Sequence, residues 1–296
     1  RALMSKFSDG KKVVPIDSKI ERIEALQHYD EILNATDAVM IARGDLGVEL
    51  NYWDLPLLQK QLIAKSSAAG KLNITATQML ASMVDNPMPT RAETCDIANA
   101  IFDGTDAVML SNESAVGKYP VKAIEVMANV AANADSAYHN FGLVDPEQND
   151  LDELIHTSSS TSGSLTNVAC MAAASLSKRY QKIKCIAVVT NSGKTAWKLS
   201  MFKPTQPIIA LTSTQEAYNR LALCRGVTPI MVAHEAINCH DGHDVQALIC
   251  KELKKKNVVA NGDFVVMVLG QKTVTNASNT VRIITVQDEV PVTPNA

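Results

Sequence analysis

Val39-Met40-Ile41-Ala42-Arg43-Gly44-Asp45-Leu46-Gly47-Val48-Glu49 is the stretch whose reading decides the fold. Its first four residues are apolar and follow Asp37-Ala38, the pattern of a short buried strand. The run then breaks into Arg-Gly-Asp-Leu-Gly, where two glycines let the backbone turn tightly and approach a ligand. A carboxylate at the exit of a buried strand, beside a glycine amide, suits a hydrated divalent cation. An ordinary turn with a solvated Asp45 would give the same eleven residues, so the neighbouring segments have to decide.

Working outward, the same unit recurs four times between residue 13 and about residue 135. Strands are expected at Val13–Glu21, Ala38–Ala42, Leu72–Met79 and Ala107–Ser111, with helices through Leu33 and around Leu55–Ala69. The polar residues at the strand exits, Lys19, Asp45, Thr77 and Ser111, succeed one another at intervals of 26, 32 and 34. That is the period of a βα unit, which implies parallel strands with right-handed crossovers. In such sheets and barrels the chemistry gathers at the carboxyl ends of the strands.

Alternation puts Lys19 and Glu21 on one face of their strand, and Thr75 and Thr77 on one face of theirs. Lys19, Glu21, Gly44, Asp45 and Thr77 then meet at one rim. Two carboxylates from adjacent strands can hold Mg²⁺, which keeps several waters and takes its remaining oxygens from substrate. A lysine beside them places a compact charge where negative charge builds in phosphoryl transfer or enolate formation. The Gly44 amide and the Thr77 hydroxyl would orient the substrate. A plain Lys–Glu pair filling a strand end is the alternative, and complementary groups at three strand exits weigh against it. Thr90 and Glu93 read as a capping box, a structural role.

Composition narrows the class. The chain has 296 residues, 46% hydrophobic and 20% charged, enough for two domains with sizeable cores. A net charge of −3 gives no basic footprint for nucleic acid or an anionic membrane. No apolar run is long enough to span a bilayer. Six scattered cysteines without a CxxC pair favour reduced thiols and a cytoplasmic protein. Arg1–Phe7 reads as the last turns of a helix, stopped by Asp9-Gly10, and leads to the expectation of a longer protein.

The unit pattern lapses around His139–Gly163, which sets a domain boundary near 140–145: a first domain at 1–140 and a second at 141–296. The second alternates strands (Cys185–Thr190, Pro207–Leu211, Thr228–Val232, Phe264–Leu269, Val281–Val286) with helices, as an open α/β layer. Between its first strand and helix lies Thr190-Asn191-Ser192-Gly193-Lys194-Thr195. The Gly-Lys-Thr ending is not a P-loop, because the required first glycine would be Val188. It reads as a helix N-terminus with amides, hydroxyls and a lysine able to hold phosphate, or as an ordinary cap by Asn191 or Ser192. Cys239-His240-Asp241-Gly242-His243-Asp244 lacks the further ligands of a zinc site and reads as a polar loop capping a helix. Met127 and Leu176 are expected in the core.

Asp17-Ser18-Lys19-Ile20-Glu21, Ala42–Glu49, Ile74–Leu80, Asn86–Glu93 and Val108-Met109-Leu110-Ser111 together resemble the pyruvate kinase family, in order and at its spacing, with a leaning to its bacterial members. The resemblance implies the last four strands of a (β/α)8 TIM barrel followed by a regulatory α/β domain. By it, Lys19 and Thr77 are catalytic. Glu21 and Asp45 bind Mg²⁺ or Mn²⁺, and Lys19, Gly44, Asp45 and Thr77 contact phosphoenolpyruvate. Thr190, Asn191, Ser192, Gly193, Lys194 and Thr195 match the loop for a phosphorylated effector, and Gly270–Asn276 the loop that covers it. The implied partners are phosphoenolpyruvate and ADP/ATP, in a cytoplasmic homotetramer, with K⁺ held by residues not in this chain.

Departures from the family pattern are Asp17, in place of a small or apolar residue and expected to perturb Lys19, and Asn112, in place of a glycine. The resemblance also places four barrel strands and a lid domain outside these residues, so turnover by this chain alone is not expected. Two other readings stand beside it: another Mg²⁺-dependent phosphoenolpyruvate or pyruvate barrel enzyme, which would not need the second domain, and a non-catalytic effector-binding or assembly module.

Overall fold

The structure is a computed structural model, which describes residues 2–7, 14–141, 161–234, 242–270 and 278–287. The chain divides into two compact units, Arg1–Asp145 and Pro146–Ala296. Cys239, His240 and Asp241 of the polar loop, and residues 271–276 of the loop Gly270–Asn276, fall outside the described residues, whereas Gly242, His243 and Asp244 open the helix Gly242–Lys255.

The first unit is a four-stranded sheet in the order β1 (Asp17–Ile20), β2 (Ala38–Ala42), β3 (Leu72–Ala76), β4 (Ala107–Met109). All three pairings are parallel, with Lys19 opposite Met40, Ile41 opposite Thr75 and Ala76 opposite Met109. β2 spans the residues the pattern suggested, β1, β3 and β4 are shorter, and the first connection is two short helices, Ile23–Gln27 and Tyr29–Ala35. Ile20, Val39 and Ile41 pack with Leu62 and Ile63 of the helix Leu55–Ala68. A second cluster joins Met79, Leu80 and Met83 to Ile97 of the helix Arg91–Phe102 and to Met127 of the helix Pro120–Phe141. Removing such residues from water stabilises by roughly 1.5–3 kcal/mol apiece.

The amino ends of the strands are wired by a repeat. Thr36-Asp37-Ala38-Val39-Met40 and Thr105-Asp106-Ala107-Val108-Met109 are the same pentapeptide. In the first copy Asp37 Oδ2 accepts from the Ile16 amide at 2.8 Å, and the Thr36 hydroxyl reaches the Ile16 and Ala38 carbonyls. In the second, Asp106 Oδ2 accepts from the Asn73 amide at 3.0 Å, and the Thr105 hydroxyl reaches the Asn73 and Ala107 carbonyls. Ser18 donates to Thr36, and Thr75 to Thr105, both at 2.9 Å. Each copy thus clamps its strand to the one before it.

The second unit is a five-stranded sheet in the order β7 (Val227–Met231), β6 (Ile208–Thr212), β5 (Ile183–Val189), β8 (Phe264–Gly270), β9 (Ser278–Thr285). Pairings are parallel except β8 with β9. The chain runs outward from β5 to β7, then returns to add β8 on β5's other side, so β5 is the topological switch strand. Cys185, Ala187, Leu211, Val265 and Met267 fill one face against Ile249 and Leu253 of the helix Gly242–Lys255. Leu176, expected in the core, is only partly buried, whereas Met127 is 8% exposed. Cys170, Cys185, Cys224 and Cys250 are buried thiols, and Cys95 is an exposed one. Burial pushes the Cys170 and Cys185 thiols up to about 12, which leaves them inert. Among the described residues no helix is long and apolar enough to cross a membrane.

Candidate active site

Lys19, the third residue of β1, projects to the rim, where its ammonium pairs with Glu21 and lies 2.9 Å from Asp45 Oδ2. The hydrogen bonds to Glu21 and then Asp45 hold the Lys19 ammonium above its usual range. The same ammonium, and next the Glu21 carboxyl, hold Asp45 below the usual carboxylate range. Asp17, expected to perturb Lys19, is not among the groups acting on it. One ammonium touching both carboxylates brings Glu21 and Asp45 within reach of a common point. Their side chains remain 39% and 53% exposed, which leaves room for water. Among the described residues no group of three or more potential ligands exists. Two oxygen-only carboxylates open to water are a ligand set that suits a hard, hydrated cation such as Mg²⁺ or Mn²⁺.

Arg43-Gly44-Asp45-Leu46-Gly47 was expected to be a glycine-rich turn. It is instead the start of a helix, Arg43–Glu49. Neither Gly44 nor Gly47 has a positive φ. Their missing side chains answer to close packing: a Cβ on Gly44 would lie 3.3 Å from Thr77 Oγ1, and one on Gly47 would lie 3.2 Å from Leu55 Cδ1 and Tyr52 Cε1.

The shared face of Thr75 and Thr77 is also corrected. β3 ends at Ala76, and Thr77 and Gln78 follow with φ of 72° and 56°. For a β-branched residue that conformation is a genuine outlier, costing about 1–2 kcal/mol. Thr75 stays in the interior, whereas the turned Thr77 accepts from the Gly44 amide at 2.7 Å and donates to the Ala76 carbonyl at 2.6 Å. The structure therefore brings Lys19, Glu21 and Asp45 into one cluster, and Gly44 and Thr77 into direct contact with each other through the helix that carries Asp45.

Several residues around the rim went unread in the sequence. Arg43 is 11% exposed, pairs with Asp96 at 2.7 Å and donates to the Thr77 carbonyl. Glu49 accepts from the Ile23 amide at 2.8 Å, fixing the exit of β1. Glu113 is 2% exposed and accepts from the amides of Leu80 and Ser111 at 3.1 and 2.8 Å. Asn112, which stands in place of a glycine, opens a short helix, Asn112–Ala115, and its φ is not positive. The capping box stands: Thr90 accepts from the Glu93 amide, and Glu93 accepts from Thr90.

In the second unit Thr190–Thr195 leaves β5, the switch strand. Gly193, with φ of 79°, is the cap residue of the helix Lys194–Met201, and no side chain caps the turn from that position. Thr190 is buried and accepts from the Gly193 amide at 3.1 Å. The Thr195 and Ser278 hydroxyls are 2.8 Å apart. Asn191, Ser192 and Lys194 are exposed. Asn191 accepts from the Ser213 hydroxyl at 3.4 Å, which also lies 3.1 Å from His234 Nδ1.

The first unit is thus a segment of a parallel βα barrel with its polar groups at the carboxyl rim, joined in sequence to a separate α/β layer. A family model described as the barrel domain of pyruvate kinase matches residues 2–124, and one described as its alpha/beta domain matches residues 167–284. The chain belongs to the pyruvate kinase family. A Thermotoga maritima pyruvate kinase is 38% identical over 276 residues, covering 93% of this chain and 55% of that protein. Pyruvate kinase 2 of Saccharomyces cerevisiae is 42% identical over 285 residues, covering 95% and 54%. The crystal structure of a pyruvate kinase from Cryptosporidium parvum superposes with a TM-score of 0.79 at 32% identity, over 96% of this chain and 54% of that one. The chain spans about half the length of the relatives it matches.

Proposed function

We propose that this chain carries the catalytic rim of a cytoplasmic pyruvate kinase, moving the phosphoryl group of phosphoenolpyruvate to ADP to give pyruvate and ATP. The observation that supports it most is the Lys19–Glu21–Asp45 cluster, with Thr77 bonded to Gly44 of the short helix that carries Asp45. Glu21 and Asp45 would hold Mg²⁺ or Mn²⁺, which would neutralise charge on the phosphate and the enolate oxygen. Lys19 would face the phosphoryl group in flight, where its ammonium offsets charge on the equatorial oxygens. Gly44 and Thr77 would take the substrate carboxylate, exchanging their mutual bond for bonds to it. Thr77 would further orient the enol, and K⁺ would be held by residues outside this chain.

The Thr190–Thr195 loop would bind the phosphate of an effector. Its place after the switch strand and the exposed Lys194 support that reading. The active form would be a homotetramer.

The test is Lys19→Met in the longest natural form of the protein. The phosphoryl-transfer rate should fall by at least about 10²–10³-fold, the range for losing one preorganised charge-stabilising group. Manganese binding, followed by water-proton relaxation, should persist. Near-normal turnover would remove Lys19 from the mechanism.

A further inference from the structure

We propose that Arg43 is the positioning residue of the rim, a guanidinium fork that keeps Thr77 in its turned conformation so that the Thr77 hydroxyl and the Gly44 amide present one fixed geometry to substrate. Arg43 sits one residue before Gly44, and its side chain is 11% exposed. It spends its donors on three different elements. Nη2 donates to the Thr77 carbonyl at 2.7 Å, and Nε to the Ala76 carbonyl at 3.4 Å. Nη1 donates to Asp96 Oδ1 at 2.7 Å and to Gln59 Oε1 at 3.2 Å.

One of the two supports is itself fixed. Gln59 is buried and donates to Asp103 Oδ2 at 2.9 Å, and Asp103 pairs with Lys60. Asp96 and Asp103 sit on or just after the helix Arg91–Phe102, while Gln59 and Lys60 sit on the helix Leu55–Ala68. Arg43 therefore ties the exit of β3 to both flanking helices.

The physical need for such a tie lies in the backbone. Thr77 and Gln78 hold two successive left-handed conformations that neither residue favours. Strain of this kind persists only where the surroundings over-determine it. Turned the other way, Thr77 would carry its hydroxyl off the Gly44 amide. A planar fork with several donors can grip two carbonyls and a carboxylate at once, whereas an ammonium offers one point charge on a flexible stem. Arg43 touches no reacting atom in this arrangement, so its contribution is geometric.

This inference rests on the reading of the rim as a substrate site, and the experiment separates the two. Arg43→Gln, Arg43→Lys and Asp96→Asn are compared with the unaltered protein in its longest natural form. The first readout is hydrogen exchange of the Gly44 amide, which needs no substrate. The second is the Michaelis constant for phosphoenolpyruvate against the turnover number.

Gly44 exchange should quicken in Arg43→Gln and in Arg43→Lys, and less in Asp96→Asn, while the Ile41 and Ile97 amides keep their protection. The Michaelis constant should rise roughly tenfold to a hundredfold, the scale of losing a supporting contact or about 1 Å of placement. Unchanged Gly44 exchange, or Arg43→Lys behaving as the unaltered protein, would overturn the fork. Loss of protection at Ile41 and Ile97 together with Gly44 would make Arg43 a general stabiliser and overturn it too. Asp96→Asn keeps the test alive if both Arg43 variants fail to fold. Selective quickening of Gly44 in a protein that does not bind phosphoenolpyruvate would uphold the fork and reject the functional reading.

Discussion

At the scale of single residues, Glu93 shows how a structural carboxylate records pH. Burial alone would raise it, but the Ser82 hydroxyl, the Ser82 and Thr90 amides and the Thr90 hydroxyl outweigh that and hold it below the ordinary 4.5. A group whose folded value is depressed contributes stability that is present above its unfolded value and lost as pH falls through the folded one. Thermal stability should therefore drop as pH falls below about 4.5, and Glu93→Gln should be less stable at neutral pH with a flatter acid limb. Melting curves from pH 7 to pH 3 would check it, and parallel limbs would refute it. Side chains such as Lys19, Glu21 and Asp45 were legible in the sequence, because type and spacing alone suffice to bring strand exits together. Thr77 was not. Strand alternation assumes a continuing strand, and nothing local in Ala76-Thr77-Gln78 announces two left-handed residues, which Arg43 secures from 34 positions away.

Elements were legible where periodicity was strong and failed where glycine was read as a sign of turning. The helix Leu55–Ala68 falls where the pattern places it, the helix Arg91–Phe102 starts at the expected capping box, and all five strands of the second unit lie within a few residues of their expected places. Arg43–Glu49 was lost because Gly44 and Gly47 serve close approach to Thr77, Tyr52 and Leu55, an interaction invisible without the fold. The antiparallel β9 was equally hidden, since its direction is fixed by pairing with β8 and not by composition. The loop after β5 carries its own expectation. Lys194→Ala should weaken binding of inorganic phosphate or a sugar phosphate to the second unit by about 1.5–3 kcal/mol, the worth of a charge-assisted bond. Calorimetric titration would measure it, and equal affinity would return the loop to a helix start and no more.

Across the whole molecule, the first sheet is wholly parallel, whereas the second carries the antiparallel β9 at one edge. Among the described residues β1 pairs only with β2, and β4 only with β3. Parallel strands with both outer edges unpaired invite further strands, and a barrel removes such edges by closing. Residues 1–296 assayed alone should therefore show little phosphoenolpyruvate-dependent turnover and should self-associate as concentration rises. A coupled pyruvate assay with sedimentation would test both. Full turnover by a monomer would show that four strands suffice.

The paired Thr-Asp-Ala-Val-Met clamps have a consequence of their own. They lie at the amino ends of the strands, while Lys19, Asp45 and Thr77 lie at the opposite ends, so robustness and recognition occupy separate floors of one layer. Asp106→Ala strands the buried Asn73 amide and should cost about 1–3 kcal/mol. At roughly 2–4 °C per kcal/mol, that lowers the melting temperature by several degrees while leaving metal affinity at the rim as it was. A thermostabilising or destabilising change can then be made on the lower floor without retuning the upper one.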